Sequence, residues 1–333
     1  MAARGPNAAT GTAKLPSMRA AFLVFVACSA DPTSTVEGVS SPPSTPNVTV
    51  PAAPVVNSAD AAASSEPTPQ TPQLAAEHFT PGSQLVTSPS PIASGRAQVS
   101  QARARVYPYS AIGLVVPAYC TITLIGPHTA MTAAHCVWDR NAGPLREGYR
   151  TGAPIPITAV YFGLAEAACG SVASYTVAHP IPRLAIPDAY TDPKEPNATN
   201  WDFAFVDFAP RDKPGNVVGW YGTHVDHGEP LYLVGYPSDE EGNTSLWERG
   251  PGTADDAFGG SLPDVFVHDL DVTRGDSGAC VSTWMPVAAG ANTSGWRVCT
   301  GVQAARVAPS GPNLARAWDV TLHQTAASLG DWP

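Results

Sequence analysis

Charge is scarce in this chain. Only 14% of its 333 residues are Asp, Glu, Lys or Arg, and 18 Lys and Arg face 28 Asp and Glu. A nucleic-acid binder needs a basic face, so no nucleic-acid partner is expected. No apolar run is long enough for a permanent membrane-spanning helix. Heptads and solenoid repeats do not occur, which sets aside coiled coils and helical arrays. The cysteines (Cys28, Cys120, Cys136, Cys169, Cys280 and Cys299) form no C-x-x-C pair and keep no zinc-ligand spacing with histidines. No metal site and no cofactor is therefore expected. Scattered cysteines in an exported chain more often make disulfides.

What the chain does contain is 29 Gly and 35 Pro, a loop-rich and β-rich composition. Its length suits one large domain or two medium ones. Arg4, Lys14 and Arg19 precede the short apolar run Ala20 to Ala27, the order of a signal peptide ending near residue 28 and of export from a bacterial cell. Cys28 follows Phe25-Val26-Ala27, which resembles a lipoprotein cleavage box. Two outcomes stay open: a lipidated Cys28 that attaches the chain to the membrane, or ordinary secretion. Residues 29–104 are rich in Pro, Ser, Thr and Ala and hold few large apolar side chains. Such a stretch cannot bury enough surface to offset its ordering entropy, and it reads as a disordered tether or a propeptide. Arg96, Arg103 and Arg105 offer points for proteolytic release. The folded domain is expected over 105–333, in halves of about 105–212 and 213–333.

In that domain short β-type runs alternate with Pro and Gly breaks, as in Tyr107 to Val116, Cys120 to Gly126 and Leu231 to Pro237. Against that background three strings concentrate chemistry. Gly275-Asp276-Ser277-Gly278 sets a serine between glycines, where the backbone can turn tightly and expose both a hydroxyl and N–H groups. Alone it is an ordinary turn. Thr132-Ala133-Ala134-His135-Cys136 supplies a base, and Asp202, ahead of the apolar run Phe203 to Val206, supplies a carboxylate anchored by a buried strand. Asp207 lies inside that strand, and Asp188 and Asp192 lack a following apolar run. The plain alternative for Asp202 is a strand-capping acid.

The T-A-A-H-C string, the Asp-led strand and G-D-S-G, in that order, resemble the chymotrypsin-like serine proteases. The order is not that of α/β-hydrolases, and G-D-S-G lacks the G-x-S-x-G elbow spacing. Gly235-Tyr236-Pro237 followed by Trp247-Glu248 is more similar to the bacterial glutamyl-endopeptidase-like branch. The resemblance covers about Val106 to Leu329. It implies an all-β fold of two six-stranded antiparallel β-barrels with a short C-terminal helix, a disulfide from Cys120 to Cys136 beside the histidine, and protein or peptide substrates. It further implies His135, Asp202 and Ser277 as catalytic triad, and Gly275 and Ser277 as oxyanion-hole donors. Asp276 falls to a structural ion pair or hydrogen bond. Cys280 and Cys299, on neighbouring strands, are placed to cross-link a hairpin, which leaves Cys169 without an evident partner.

Asp271, six residues before Ser277, stands where trypsin-like members carry the acid that attracts Arg or Lys. Its readings are a substrate-binding residue or a strand-end carboxylate, and Arg306 is a candidate to neutralise it. Gln303 stands in the substrate-binding position where glutamyl endopeptidases carry His, against a glutamate preference. Two further departures are Ile122 in place of a common Gly and Ala304 in place of the Ser that supports the aspartate. The leading reading is an exported serine endopeptidase. The rivals are a catalytically weak protease-like binding module at the cell surface and an unrelated secreted β-sandwich.

Overall fold

A computed structural model describes residues 79–86, 95–167, 171–178, 181, 183–225, 230–239, 245–255, 264–286, 294–306 and 313–329. In chain order, β1 (Phe79–Thr80), β2 (Arg96–Gln98) and the short helix α1 (Gln101–Ala104) come first. The strands β3 (Ile112–Val116), β4 (Cys120–Leu124) and β5 (Thr129–Thr132) follow as consecutive antiparallel neighbours. Two small ladders come next, β6 (Trp138–Asp139) with β9 (Ala153–Pro154), and β7 (Leu145–Arg146) with β8 (Tyr149–Arg150). The 144–154 stretch thus holds an exposed hairpin. The first half continues through β10 (Ala159–Phe162), β11 (Tyr175–Val177), β12 (Arg183–Ala185), helix α2 (Asp188–Thr191) and β13 (Ala204–Asp207). The order in its sheet is β11-β10-β3-β4-β5-β13-β12.

Helix α3 (Gly215–Val218) leads to β14 (Gly222–His224), β15 (Leu231–Gly235), β16 (Trp247–Gly252), β17 (Ala254–Asp255) and β18 (Val265–His268). The chain then runs through β19 (Cys280–Pro286), β20 (Gly295–Arg306), β21 (Asn313–Ala317) and helix α4 (Val320–Ala327). The second sheet runs β17-β18-β21-β20-β19-β15-β16-β2, with β14 and β1 attached beside β20. The architecture is two curled antiparallel sheets with few helices, the chymotrypsin-like arrangement. Among the described residues the sheets hold seven and ten strands instead of six each, because short edge segments add on, and one pairing is parallel, β14 on β20.

β3, β4 and β5 are buried along almost their whole length, so their β-branched and aliphatic residues pack on both faces. Phe203 and Phe205 meet edge-on at 5.8 Å, and Phe205 meets the fully buried Trp318 at 6.0 Å. That contact seats the C-terminal segment on the first sheet. Helix α4 starts one residue past Asp319, whose carboxylate accepts the Leu322 N–H at 2.9 Å. Val320 is therefore helical, and the last strand ends at Ala317.

The largest departure lies upstream. The packed region begins well before residue 105, so part of 29–104 is neither tether nor disordered. β1 pairs with β14, Val86 bridges to Gly295, and β2 pairs with β16. Val99 and Ala104 are fully buried. Composition misled because this segment makes no core of its own; it uses the unpaired edge of an existing sheet. Residues 1–78, with the signal-peptide and Cys28 expectations, lie outside the described residues, as does Cys169. Among the described residues no helix is long and apolar enough to cross a membrane.

Candidate active site

Strand register explains how His135 meets Asp202. β13 pairs antiparallel with β5, with Ala204 opposite Thr132. Asp202, two residues before Ala204, is thereby brought alongside His135, three residues after Thr132. A 3-10 turn, Ala134–Cys136, carries the histidine out of the strand. His135 Nδ1 lies 2.8 Å from Asp202 Oδ2, and the His135 backbone N–H donates to Asp202 Oδ1 at 2.9 Å. One carboxylate thus holds both the ring and the main chain of the histidine. Asp202 is buried beside Phe203, whereas the His135 side chain keeps 37% of its surface exposed. With Nδ1 occupied, Nε2 is the nitrogen left for proton transfer.

Burial pushes the His135 imidazole down, but the charge and hydrogen bond of Asp202 outweigh it, and its pKa is raised from 6.5. The disulfide Cys120–Cys136 ties β4 to the residue after His135. The ligand-type atoms of Cys120, His135 and Cys136 gather within 4.8 Å of one another. Both sulfurs belong to the disulfide, so they offer no thiolate to a metal.

The serine loop is held by its carbonyls. Thr121 Oγ1 donates to the Gly275 carbonyl at 2.8 Å, and the Thr121 N–H donates to the Ser277 carbonyl at 2.9 Å. Cys136 Sγ lies 3.8 Å from that same carbonyl, so the loop rests against the turn bearing His135. Gly275 and Gly278 take φ of +91° and +83°, a region that side chains disfavour. The N–H groups of Asp276, Gly278 and Ala279 donate to Thr273, Gln303 and Asp276. Among the described residues, those of Gly275 and Ser277 donate to no backbone carbonyl. The loop therefore presents a half-buried hydroxyl and two uncommitted N–H donors on one short segment.

Asp276 is fully buried and faces the equally buried Arg249, with Arg249 Nη2 at 3.1 Å from Oδ2. Thr273 N–H adds a hydrogen bond to the same oxygen at 3.0 Å. The ion pair foreseen for Asp276 is present. Its partner went unforeseen, since a single Arg in the strand Trp247–Gly252 carries no local signal.

The remaining candidates are placed differently. Asp271 is exposed, and its neutralising cation is Arg96, whose Nη1 donates to Asp271 Oδ2 at 3.2 Å. Arg306 was the expected cation, and its side chain lies outside the described residues. Gln303 is buried: its Oε1 lies 2.6 Å from His268 Nε2, and its Nε2 donates to the Ala305 carbonyl at 3.0 Å. Its amide is thus committed within the second sheet. Burial drives the His268 pKa down to about 4, against the opposing hydrogen bond of Gln303. Asp207, the rival to Asp202, is buried with His128 Nδ1 at 2.7 Å and Arg183 at 3.2 Å, at the far end of β13 from Asp202. Cys280 and Cys299 are bonded, joining β19 and β20.

No protein-family model matches the chain. A glutamyl endopeptidase of Bacillus licheniformis is 28% identical over 181 residues, which are 53% of this chain and 49% of that protein. The chain thus spans about half the length of the curated relative it matches. A solved structure of Glu endopeptidase in complex with MPD superposes with a TM-score of 0.52 at 22% identity, over 71% of this chain and 96% of that one. The likeness establishes the fold.

Proposed function

We propose that this chain, which has the fold of the chymotrypsin-like serine proteases, is a serine endopeptidase acting on protein or peptide substrates. The observation that carries the reading is the double grip of Asp202 on His135, ring and main chain, beside a serine loop with two uncommitted N–H groups. In the reaction, the Ser277 hydroxyl attacks a peptide carbonyl while His135 Nε2 takes its proton. The Gly275 and Ser277 N–H groups donate to the oxygen as it becomes negative, each worth roughly two to three powers of ten in rate. His135 then protonates the departing amine, leaving an acyl group on Ser277 that water removes by the same steps. Asp202 keeps the proton of the resting imidazole on Nδ1 and stabilises the imidazolium.

Export from a bacterial cell is part of the proposal, supported by the positive-then-apolar N-terminal order and by two disulfides of the kind that persist outside the cytoplasm. Ordinary secretion and a lipid-anchored Cys28 differ in one measurement, the partition of the mature chain between membrane and medium.

A fluorophosphonate probe tests the activity. Labelling of the mature wild type and none of Ser277→Ala is the expected result. A folded wild type that takes no label is a protease-like binding module instead.

A further inference from the structure

Asp271, six residues before Ser277, is already paired with one of the chain's own side chains. Arg96 donates to both oxygens of Asp239, at 3.1 and 3.0 Å, and to Asp271 at 3.2 Å. Its guanidinium also stacks over the Trp247 ring at 5.0 Å. Both acids flank the segment that ends in the nucleophile. Asp271 begins it, and Asp239 is tied to it, through Thr273 Oγ1 to Asp239 Oδ1 at 2.8 Å and through Ser238 N–H to the Arg274 carbonyl at 2.6 Å. Asp271 lies six residues before Ser277, joined to it by at most about 20 Å of extended chain.

The side chains of Asp239 and Asp271 are 40% and 61% exposed, whereas that of Arg96 is 18% exposed. The acids are accessible to an incoming cation and the arginine lies between them. Strand register gives this placement its cause. β2 lays Arg96 directly opposite Arg249 on β16. Two arginines in that relation repel, and Asp239, Asp271 and Asp276 offset the repulsion. Burial alone would push the Asp239 carboxyl up, but the hydrogen bonds from Arg96 and Thr273 hold it below its ordinary value.

We infer that Asp239 and Asp271 form a subsite for a basic substrate side chain, and that Arg96 fills it as an internal competitor, suppressing cleavage beside Arg and Lys. The inference deepens the proteolytic reading above and rests on it. β2 is a three-residue edge strand, so the competitor is attached by few backbone hydrogen bonds. In the folded chain the acidic pair is neutralised, and the substrate preference is set by shape and apolar contact. Withdrawal of Arg96 converts the same surface into one that selects cations.

The test uses benzamidine, a small aromatic cation, together with peptides bearing Arg, Lys or Phe before the scissile bond. Arg96→Ala is expected to bind benzamidine about five- to tenfold more tightly than wild type, the scale of one partly exposed bidentate charge pair. Its kcat/KM on Arg and Lys peptides, relative to Phe peptides, rises by the same factor. Arg96→Gln, which keeps a stem to lie on Trp247, does likewise if Arg96→Ala fails to fold, and Arg96→Lys keeps the wild-type profile. Adding Asp271→Asn to Arg96→Ala removes the gain. Unchanged benzamidine affinity on losing Arg96 overturns the inference, as does a selective loss of Arg and Lys cleavage in Asp271→Asn alone. Benzamidine binding needs no turnover, and fluorophosphonate labelling of the same samples reports separately on the enzyme reading.

Discussion

The Arg249 guanidinium lies 3.1 Å from the Asp276 carboxylate, and neither side chain has any solvent exposure. Burial drives Asp276 up to about 6 and Arg249 down from 12.5, and each partner opposes the other's shift. The pair therefore anchors the residue preceding Ser277 from β16 of the second sheet. Removing one partner strands a buried charge, so Arg249→Met is expected to lower unfolding stability by about 3–5 kcal/mol. Combining it with Asp276→Asn recovers most of that loss. Urea midpoints of the three variants check both statements, and an unmoved midpoint in Arg249→Met contradicts them.

The acid limb of the pH profile follows from His135. The base works only when neutral, and Asp202 raises its pKa above 6.5, so kcat/KM is expected to fall as pH drops through a midpoint above 6.5. Asp202→Asn removes the charge that raises it. The midpoint should then move to lower pH, with kcat reduced on the order of ten-thousandfold. A pH–rate series on both proteins reads the two effects together.

Gly278 is held at φ +83°, and a Cβ there would collide with Thr132 Oγ1, the Thr121 carbonyl and the Ala133 N. Two of those atoms are backbone, on β4 and on the approach to His135. Gly278→Ala is expected to abolish fluorophosphonate labelling by forcing the serine loop away from the histidine turn. Circular dichroism separates that outcome from global unfolding.

The two described disulfides should differ in consequence. Cys120–Cys136 closes a separation of 16 residues and holds the turn that carries His135. Its double Ala variant is expected to lose about 3 kcal/mol of stability in the chain-entropy model. It should also lose labelling rate. The Cys280–Cys299 double variant, joining strands already paired along β19 and β20, should lose stability with a smaller effect on labelling rate. Labelling rates measured below each variant's melting temperature distinguish the two.

Much of the site could be read along the chain because its signals are local. T-A-A-H-C, an Asp ahead of four apolar residues, and G-D-S-G each hold their chemistry within about five residues, and short β-type runs bounded by Pro and Gly announced a β fold. Strand ends were less legible: β3 begins only at Ile112, because Tyr109–Ala111 turns as a 3-10 helix, and Asp319 diverts the last strand into a helix.

Linear order alone was enough to nominate His135, Asp202 and Ser277 and to name the fold they belong to. It left open what surrounds them. Arg96 and Asp271 are 175 residues apart, and no local pattern couples them. Their meeting depends on the register of β2 on β16, a pairing between a polar segment and a sheet edge, where backbone hydrogen bonds matter more than side-chain composition. The same holds for Arg249 and Asp276, whose burial is set by how β16 packs behind the serine loop. Chemistry that fits in one turn is written in adjacent residues, whereas the charge balance around it arises only where distant strands are brought side by side.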